Sequence, residues 1–228
     1  VSSTGRGGKR CEADFYETPE WVTARLLDVW KPGRDALLIE PAVGNGAIIK
    51  AMNKLLPDPA SFWLGYDIRD MAVHHLCRFR QTDFLADGAQ LATDLTEVCW
   101  GFAEEGKSFR TMHVITNPPF SVAEEFLRKS RLLYPTADLV FLLRLNFLAS
   151  IERLPLWRDL GVPDVHVLPN RPSFTGAGTD SCEYAWMIFH AWAEVPLLRT
   201  PSQGFLTILP ETPKTVRAAC RKHMIEDP

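Results

Sequence analysis

No C-x-x-C pair occurs among the five cysteines (Cys11, Cys77, Cys99, Cys182 and Cys220), which lie scattered along the chain. That spacing argues against a zinc ribbon or a disulfide framework, and reduced thiols are expected. The six histidines show no ligand spacing either: His74 and His75 are adjacent and so diverge, and no metal is expected. There is no run of eighteen apolar residues and no charged-then-apolar leader, so neither membrane insertion nor secretion is expected, and the cytoplasm is the expected compartment. An excess of one charge is missing as well. A formal net charge of −3 over 228 residues announces no polyanionic partner, so any phosphate-binding surface has to be a local patch. No internal repeat or extended low-complexity segment is visible.

What is present is a hydrophobic share of 46%, enough for the core of one α/β domain. Short apolar runs read as strands at Ala36 to Glu40, Phe62 to Tyr66, Met112 to Thr116, Ala137 to Leu145, Asp164 to Leu168 and Tyr184 to Ala191, with a polar, weaker candidate at Cys77 to Asp83. Helical patterns lie between them at Pro19 to Trp30, Ala47 to Leu56, Arg69 to Leu76 and Val122 to Leu133. Thr93 to Arg110 reads as an irregular, partly helical insertion. Continuous apolar runs separated by helices predict an α/β fold with a parallel sheet covered on both faces. Such sheets take ligands at the C-terminal ends of their strands, where the strand order switches.

Four candidate features fall at strand ends. Asn117-Pro118-Pro119-Phe120 follows the Met112 to Thr116 run. The Asn117 side-chain oxygen and the Pro118 carbonyl can both accept hydrogen bonds from one planar amino group, and Phe120 offers a stacking face. Holding both N–H bonds favours a tetrahedral nitrogen as it attacks, which stabilises a transition state rather than a ground state. The competing reading is a plain turn. The loop Glu40-Pro41-Ala42-Val43-Gly44-Asn45-Gly46 joins a strand to a helix, and Gly44 and Gly46 permit positive φ and close approach of a ligand. It lacks the G-x-G-x-x-G pattern and the phosphate-loop lysine. Glu40 there disfavours a phosphate but suits an ammonium or sulfonium. Asp67 closes the next strand and can accept both hydroxyls of a ribose. Asp83 ends the third, where it can accept an adenine amino group, with Phe84 or Ile68 against the rings. Each acid alone also reads as a helix cap or surface charge.

Taken in order, Phe15-Tyr16-Glu17-Thr18-Pro19, Glu40 to Gly46, Asp67, Thr82-Asp83-Phe84 and Asn117 to Phe120 resemble the class I S-adenosylmethionine-dependent methyltransferases, specifically the amino-methyltransferases that modify adenine in DNA. The resemblance spans roughly Asp14 to Phe189. It implies a Rossmann-like, seven-stranded, mostly parallel sheet with an antiparallel last strand, S-adenosyl-L-methionine as cofactor, and methyl transfer to a flipped adenine. It assigns Tyr16, Thr18 and Pro19 to the methionine end of the cofactor, together with Glu40, Pro41, Ala42, Gly44 and Gly46. Asp67 would take the ribose, and Asp83 the adenine, with Phe84 or Ile68 on its rings. Asn117, Pro118, Pro119 and Phe120 would form the catalytic platform, with Asn117 also touching the cofactor and Phe120 and Phe174 the target base; Arg144 and Arg171 flank the proposed cleft and are candidates for the substrate side. The Arg171-Pro172-Ser173-Phe174 and Asp180 to Trp186 stretches are similar to the family's late loop and last strand. Phe174 reads equally as a buried anchor for its loop, and Trp186 as core.

Ala42 stands where the family often has glycine or cysteine, a tolerated change. The larger departure is the recognition domain that sequence-reading members usually carry. Here the expected division is an N-terminal arm (1–13, basic and glycine-rich), a catalytic domain (14–192) and a C-terminal extension (193–228). Recognition would fall to residues 93–110, 145–180 and the extension, or to a partner protein, as in small orphan enzymes of phages and mobile elements. Lys107, Arg110, Arg144, Arg153, Arg158 and Arg171 are candidate phosphate contacts. Related branches methylate amines in structured RNA or the glutamine of release factors, and an inactive binding subunit is a third alternative.

Overall fold

The computed structural model describes residues 17–56, 62–174, 180–191 and 204–217. One eight-stranded sheet runs through these residues, built from β1 (Ala36–Glu40), β2 (Phe62–Asp67), β3 (Arg78–Gln81), β4 (Thr111–Thr116), β5 (Asp138–Arg144), β6 (Asp164–Val167), β7 (Tyr184–Phe189) and β8 (Leu206–Ile208). The helices are α1 (Glu20–Leu26), α2 (Ala47–Leu55), α3 (Gly88–Glu104), α4 (Ala123–Leu133) and α5 (Leu154–Leu160). The strand order is β3-β2-β1-β4-β5-β7-β6-β8. Strands β3, β2, β1, β4 and β5 are mutually parallel, and β7 runs antiparallel between β5 and β6. The seven expected strands are therefore present, and β8, parallel to β6, adds an eighth at the edge.

Burial explains why the apolar runs are continuous rather than alternating. Every residue of β1 and β7 is buried, and β5 is buried up to Arg144. Leu38, Ile115, Val140, Leu142 and Trp186 face one layer with Trp21, Val22 and Leu26 of α1 and Ile48, Ile49 and Met52 of α2. Leu37, Ile39, Val114, Leu139, Phe141 and Met187 face the other, against Leu91 and Val98 of α3, Phe126 and Leu127 of α4, and Leu156 of α5. Successive side chains of a strand thus alternate between two cores, each of which a helical stripe completes. Trp186 lies within the first core, and its indole N–H donates to the Val22 carbonyl at 2.9 Å.

The order of the strands decides where a site forms. From β1 the chain winds outward to β2 and β3, then returns to β4 on the other side of β1. The C-terminal ends of β1 and β4 diverge into opposite connections at this point, which opens a crevice.

Two expectations are corrected. Arg69 to Leu76 forms hydrogen-bonded turns, not a helix, with Val73 its one fully buried side chain, so no apolar stripe exists to hold a helix against the sheet. The Thr93 to Arg110 region is largely regular: α3 begins earlier, at Gly88, where the Asp87 side chain accepts from Gln90 N. Its inner face buries Leu91, Asp94 and Val98, and the exposed Cys99 and Trp100 blur the stripe in sequence. Asp94 takes both forks of Arg80 at 2.6 Å, which ties the polar edge strand β3 to α3. Among the described residues no helix is long and apolar enough to cross a membrane.

Candidate functional site

A cavity of about 750 Å³ opens at the C-terminal edge of the sheet over the β1/β4 switch point. Its wall is contributed by segments distant in sequence: Thr18 ahead of α1, the loop after β1, the ends of β2 and β3, the Asn117 loop after β4, and Arg144 at the end of β5.

The β1 loop is shaped by two glycines in left-handed conformation, Gly44 at φ 53° and Gly46 at φ 77°. Gly46 caps the start of α2, and its positive φ calls for glycine, while a Cβ there would also push the tip of Leu76, Cδ1 lying at 2.6 Å. Val43 N donates to the Tyr66 carbonyl at 2.8 Å and Gly44 N donates to Asp67 Oδ2 at 2.9 Å, which stitches the loop to the end of β2. Glu40 is buried at the end of β1, and its Oε2 has no hydrogen-bond partner. Burial first, and the negative charge of Asp67 second, raise its carboxyl well above the ordinary range. A buried acceptor at a cavity wall is a fitting partner for a cationic or hydrogen-bond-donating ligand.

Asp67 is engaged from two sides. Besides Gly44 N, it takes Arg69 N at 3.0 Å and Arg69 Nε at 2.9 Å on Oδ1, and Arg69 Nη2 at 3.0 Å on Oδ2. Further along the wall, the exposed Asp83 accepts from Leu85 N at 2.9 Å. Phe84 is buried and stacks on Phe126 with ring centroids 5.3 Å apart, forming an apolar floor, and the exposed Ile68 lines the same cavity.

On the other side of the switch point, Asn117 Nδ2 donates to Thr18 Oγ1 at 3.1 Å, a contact between residues 99 positions apart. Phe120 carries the Arg144 guanidinium over its ring at 4.6 Å, and Arg144 Nε donates to the Tyr184 hydroxyl at 3.2 Å. Tyr184 in turn donates to Asp180 Oδ2 at 2.7 Å. Arg144 is thus a cation held by a phenol and an aromatic face rather than by a carboxylate.

Among solved structures, the chain is similar to the methyltransferase subunit of a type I restriction-modification system from Streptococcus thermophilus, at 12% identity over 95% of this chain and 55% of that one, with a TM-score of 0.55. It is similar to a Listeria monocytogenes protein named provisionally as a class I S-adenosylmethionine-dependent methyltransferase, at 12% identity over 90% of this chain and 68% of that one, TM-score 0.52. The 23S rRNA methyltransferase ErmE matches at 13% identity over 82% of this chain and 72% of that one, TM-score 0.50. The chain has the class I methyltransferase fold. It spans about half the length of the restriction-modification subunit. No protein-family model and no curated protein sequence matches it.

Within this methyltransferase fold, the cavity wall brings together Thr18, Glu40, Pro41, Ala42, Gly44, Asp67, Ile68, Asp83, Phe84, Asn117, Pro119, Phe120 and Arg144 of the residues singled out in sequence. Pro19, Gly46 and Pro118 are buried and adjoin wall residues in the chain. Tyr16 lies outside the described residues. Phe174 is not at the wall. Only 6% exposed, it packs edge-on against Phe120 at 6.2 Å and Tyr184 at 5.1 Å, as a support beneath the platform. Arg171 is exposed away from the cavity and pairs with Glu183. Sequence reading missed Arg69, although a cation two residues beyond a strand-end acid is a readable signal, and it missed the Tyr184–Asp180 brace behind Arg144, which depends on folding. Among the described residues no three His, Cys, Asp or Glu side chains converge as a metal centre requires.

Proposed function

We propose that this chain transfers a methyl group from S-adenosylmethionine to the exocyclic amino group of adenine in DNA. The observation that carries the reading is the sharing of one cavity: the acid-and-glycine wall of β1 and β2 and the Asn117 platform of β4 line the same 750 Å³ space. The buried, unpartnered Glu40 Oε2 fits the cofactor's cationic end. Asp67 would take the ribose once Arg69 releases it, Asp83 and the Ile68–Phe84 pair would take the adenine, and Thr18 and the Gly44 backbone would line the amino-acid end. When bound, the cofactor supplies an electrophilic methyl group on sulfonium.

The rest is work for this chain's own residues. Asn117 Oδ1 and the Pro118 carbonyl would accept the two N–H bonds of the target amine, turning its lone pair toward the methyl. Phe120, backed by Phe174 and Tyr184, would stack on the target base, offsetting the few kcal/mol needed to extrude it from a duplex. Phe120 and Arg144, already at the cavity wall, would help exclude water and hold the reacting groups in line. Arg144, at the cavity wall, would take a phosphate beside the flipped base. Arg171 would serve at a more distant contact. A partner protein supplying target recognition belongs to this reading. The ordered motifs favour adenine in DNA over the RNA and protein alternatives.

Incubating the protein with radiolabelled S-adenosylmethionine and separate pools of unmodified DNA, RNA and release-factor protein tests it. Label recovered as methylated adenine in DNA is expected. Label in RNA or protein would overturn the substrate while keeping the chemistry. No label in any pool, with cofactor still bound, would favour an inactive subunit.

A further inference from the structure

An amide is nearly symmetric in shape, so packing alone cannot decide which end of Asn117 meets an incoming amine. Turned by 180°, the side chain would present its own NH₂ to the target NH₂, donor against donor, and the platform would repel what it has to hold. In this structure Nδ2 is turned toward Thr18, whose Oγ1 accepts it at 3.1 Å. Thr18 is itself 5% exposed, is fixed just ahead of α1 by the following Pro19, and also lines the cavity.

Resting on the function proposed above, we propose that Thr18 is the positioning residue that sets the polarity of the catalytic amide and ties it to occupancy of the cofactor side of the cavity. A hydroxyl can donate as well as accept, so the sense of the Thr18–Asn117 bond depends on where the hydroxyl proton goes. With that proton given to an acceptor in the cavity, Oγ1 has only lone pairs left for Asn117, and Nδ2 is the sole end of the amide that can bond to it. Oδ1 is then turned to the acceptor amine. Without such an acceptor, the hydroxyl can donate to Oδ1 instead, and both orientations of the amide are populated. Filling the cofactor side therefore completes the platform on the substrate side, across the 99 residues that separate the two partners.

The test uses Thr18→Val, which keeps the shape and removes the hydroxyl, and Thr18→Ser, which restores it. In single-turnover methylation of an adenine oligonucleotide at saturating cofactor, T18V is expected to lose about tenfold in rate, the worth of one oriented hydrogen bond, on top of a weaker cofactor affinity, and T18S recovers most of the rate. A second readout does not need turnover. In ¹⁵N spectra, the Asn117 side-chain NH₂ pair, assigned by its loss in Asn117→Asp, should shift on adding S-adenosylhomocysteine in the wild type and in T18S but not in T18V. Wild-type rate in T18V, or an NH₂ shift that persists in T18V, would overturn the proposal. A loss confined to cofactor affinity, with the rate at saturating cofactor unchanged, would reduce Thr18 to a cofactor contact and also overturn it. Absence of transfer by the wild type would instead refute the proposed function, and the NH₂ response would still report on Thr18.

Discussion

Removing the Arg69 side chain should tighten cofactor binding. Asp67 is the carboxylate proposed for the ribose, yet Arg69 grips it with a fork, Nε on Oδ1 at 2.9 Å and Nη2 on Oδ2 at 3.0 Å, so a ribose has to displace the guanidinium. The carboxylate is 5% exposed and the guanidinium side chain 37%. That places the pair above exposed ion pairs, worth about 0–1 kcal/mol, and below fully buried ones, whose rupture costs about 3–5 kcal/mol. A value of about 1–2 kcal/mol follows, after discounting for the solvent that reaches Arg69. Recovered on binding, it corresponds to a roughly 5- to 30-fold lower Kd in Arg69→Ala. The backbone N–H of residue 69 still donates to Asp67 Oδ1 in this variant, and Gly44 N to Oδ2, so the acid keeps its orientation. Titration calorimetry with S-adenosylhomocysteine, alongside a melting curve that verifies folding, reads the effect. An unchanged or weaker affinity would refute the exchange and mean that Arg69 stays on Asp67 or touches the ligand.

Other outcomes follow from the same geometry. Asn117→Ala should lower the transfer rate at least about 100-fold with nearly intact calorimetric affinity for the cofactor, and a near-normal rate would remove Asn117 from the chemistry. Glu40 carries a carboxyl raised by burial and by Asp67. Its folded value lies above the unfolded one, so its favourable contribution is complete below the unfolded value of about 4.3 and is lost as pH rises toward the folded value. Glu40→Gln should therefore raise the melting temperature of the ligand-free protein near neutral pH, by about 2–4 °C for each kcal/mol recovered, flatten its dependence on pH above the unfolded value, and weaken cofactor binding. A lower melting temperature at neutral pH would show that the charge is compensated. Arg144→Gln should reduce the slope of log K against log salt for oligonucleotide binding by about one, and an unchanged slope would take Arg144 away from the phosphates.

The sequence by itself determined the layers and the strand-end chemistry. Runs such as Ala36 to Ile39 and Leu139 to Leu143 are apolar at every position because both faces of each strand meet a core, and that is visible without coordinates. Glu40, Asp67, Asp83 and Asn117 could be singled out because polar groups closing successive strands fall at one edge of a parallel sheet. Three things were left to tertiary structure. The helix at 88–104 was obscured because its inner face buries an aspartate, Asp94, whose partner Arg80 comes from another strand. The fate of Phe174 depended on Phe120 and Tyr184 converging on it, since an aromatic in a loop carries no periodicity to mark it as core. Most of all, the contacts that set the site are between residues that only the β1/β4 switch brings together, as with Asn117 and Thr18. A motif names the groups, but their polarity and their competing partners are fixed by what the fold packs beside them.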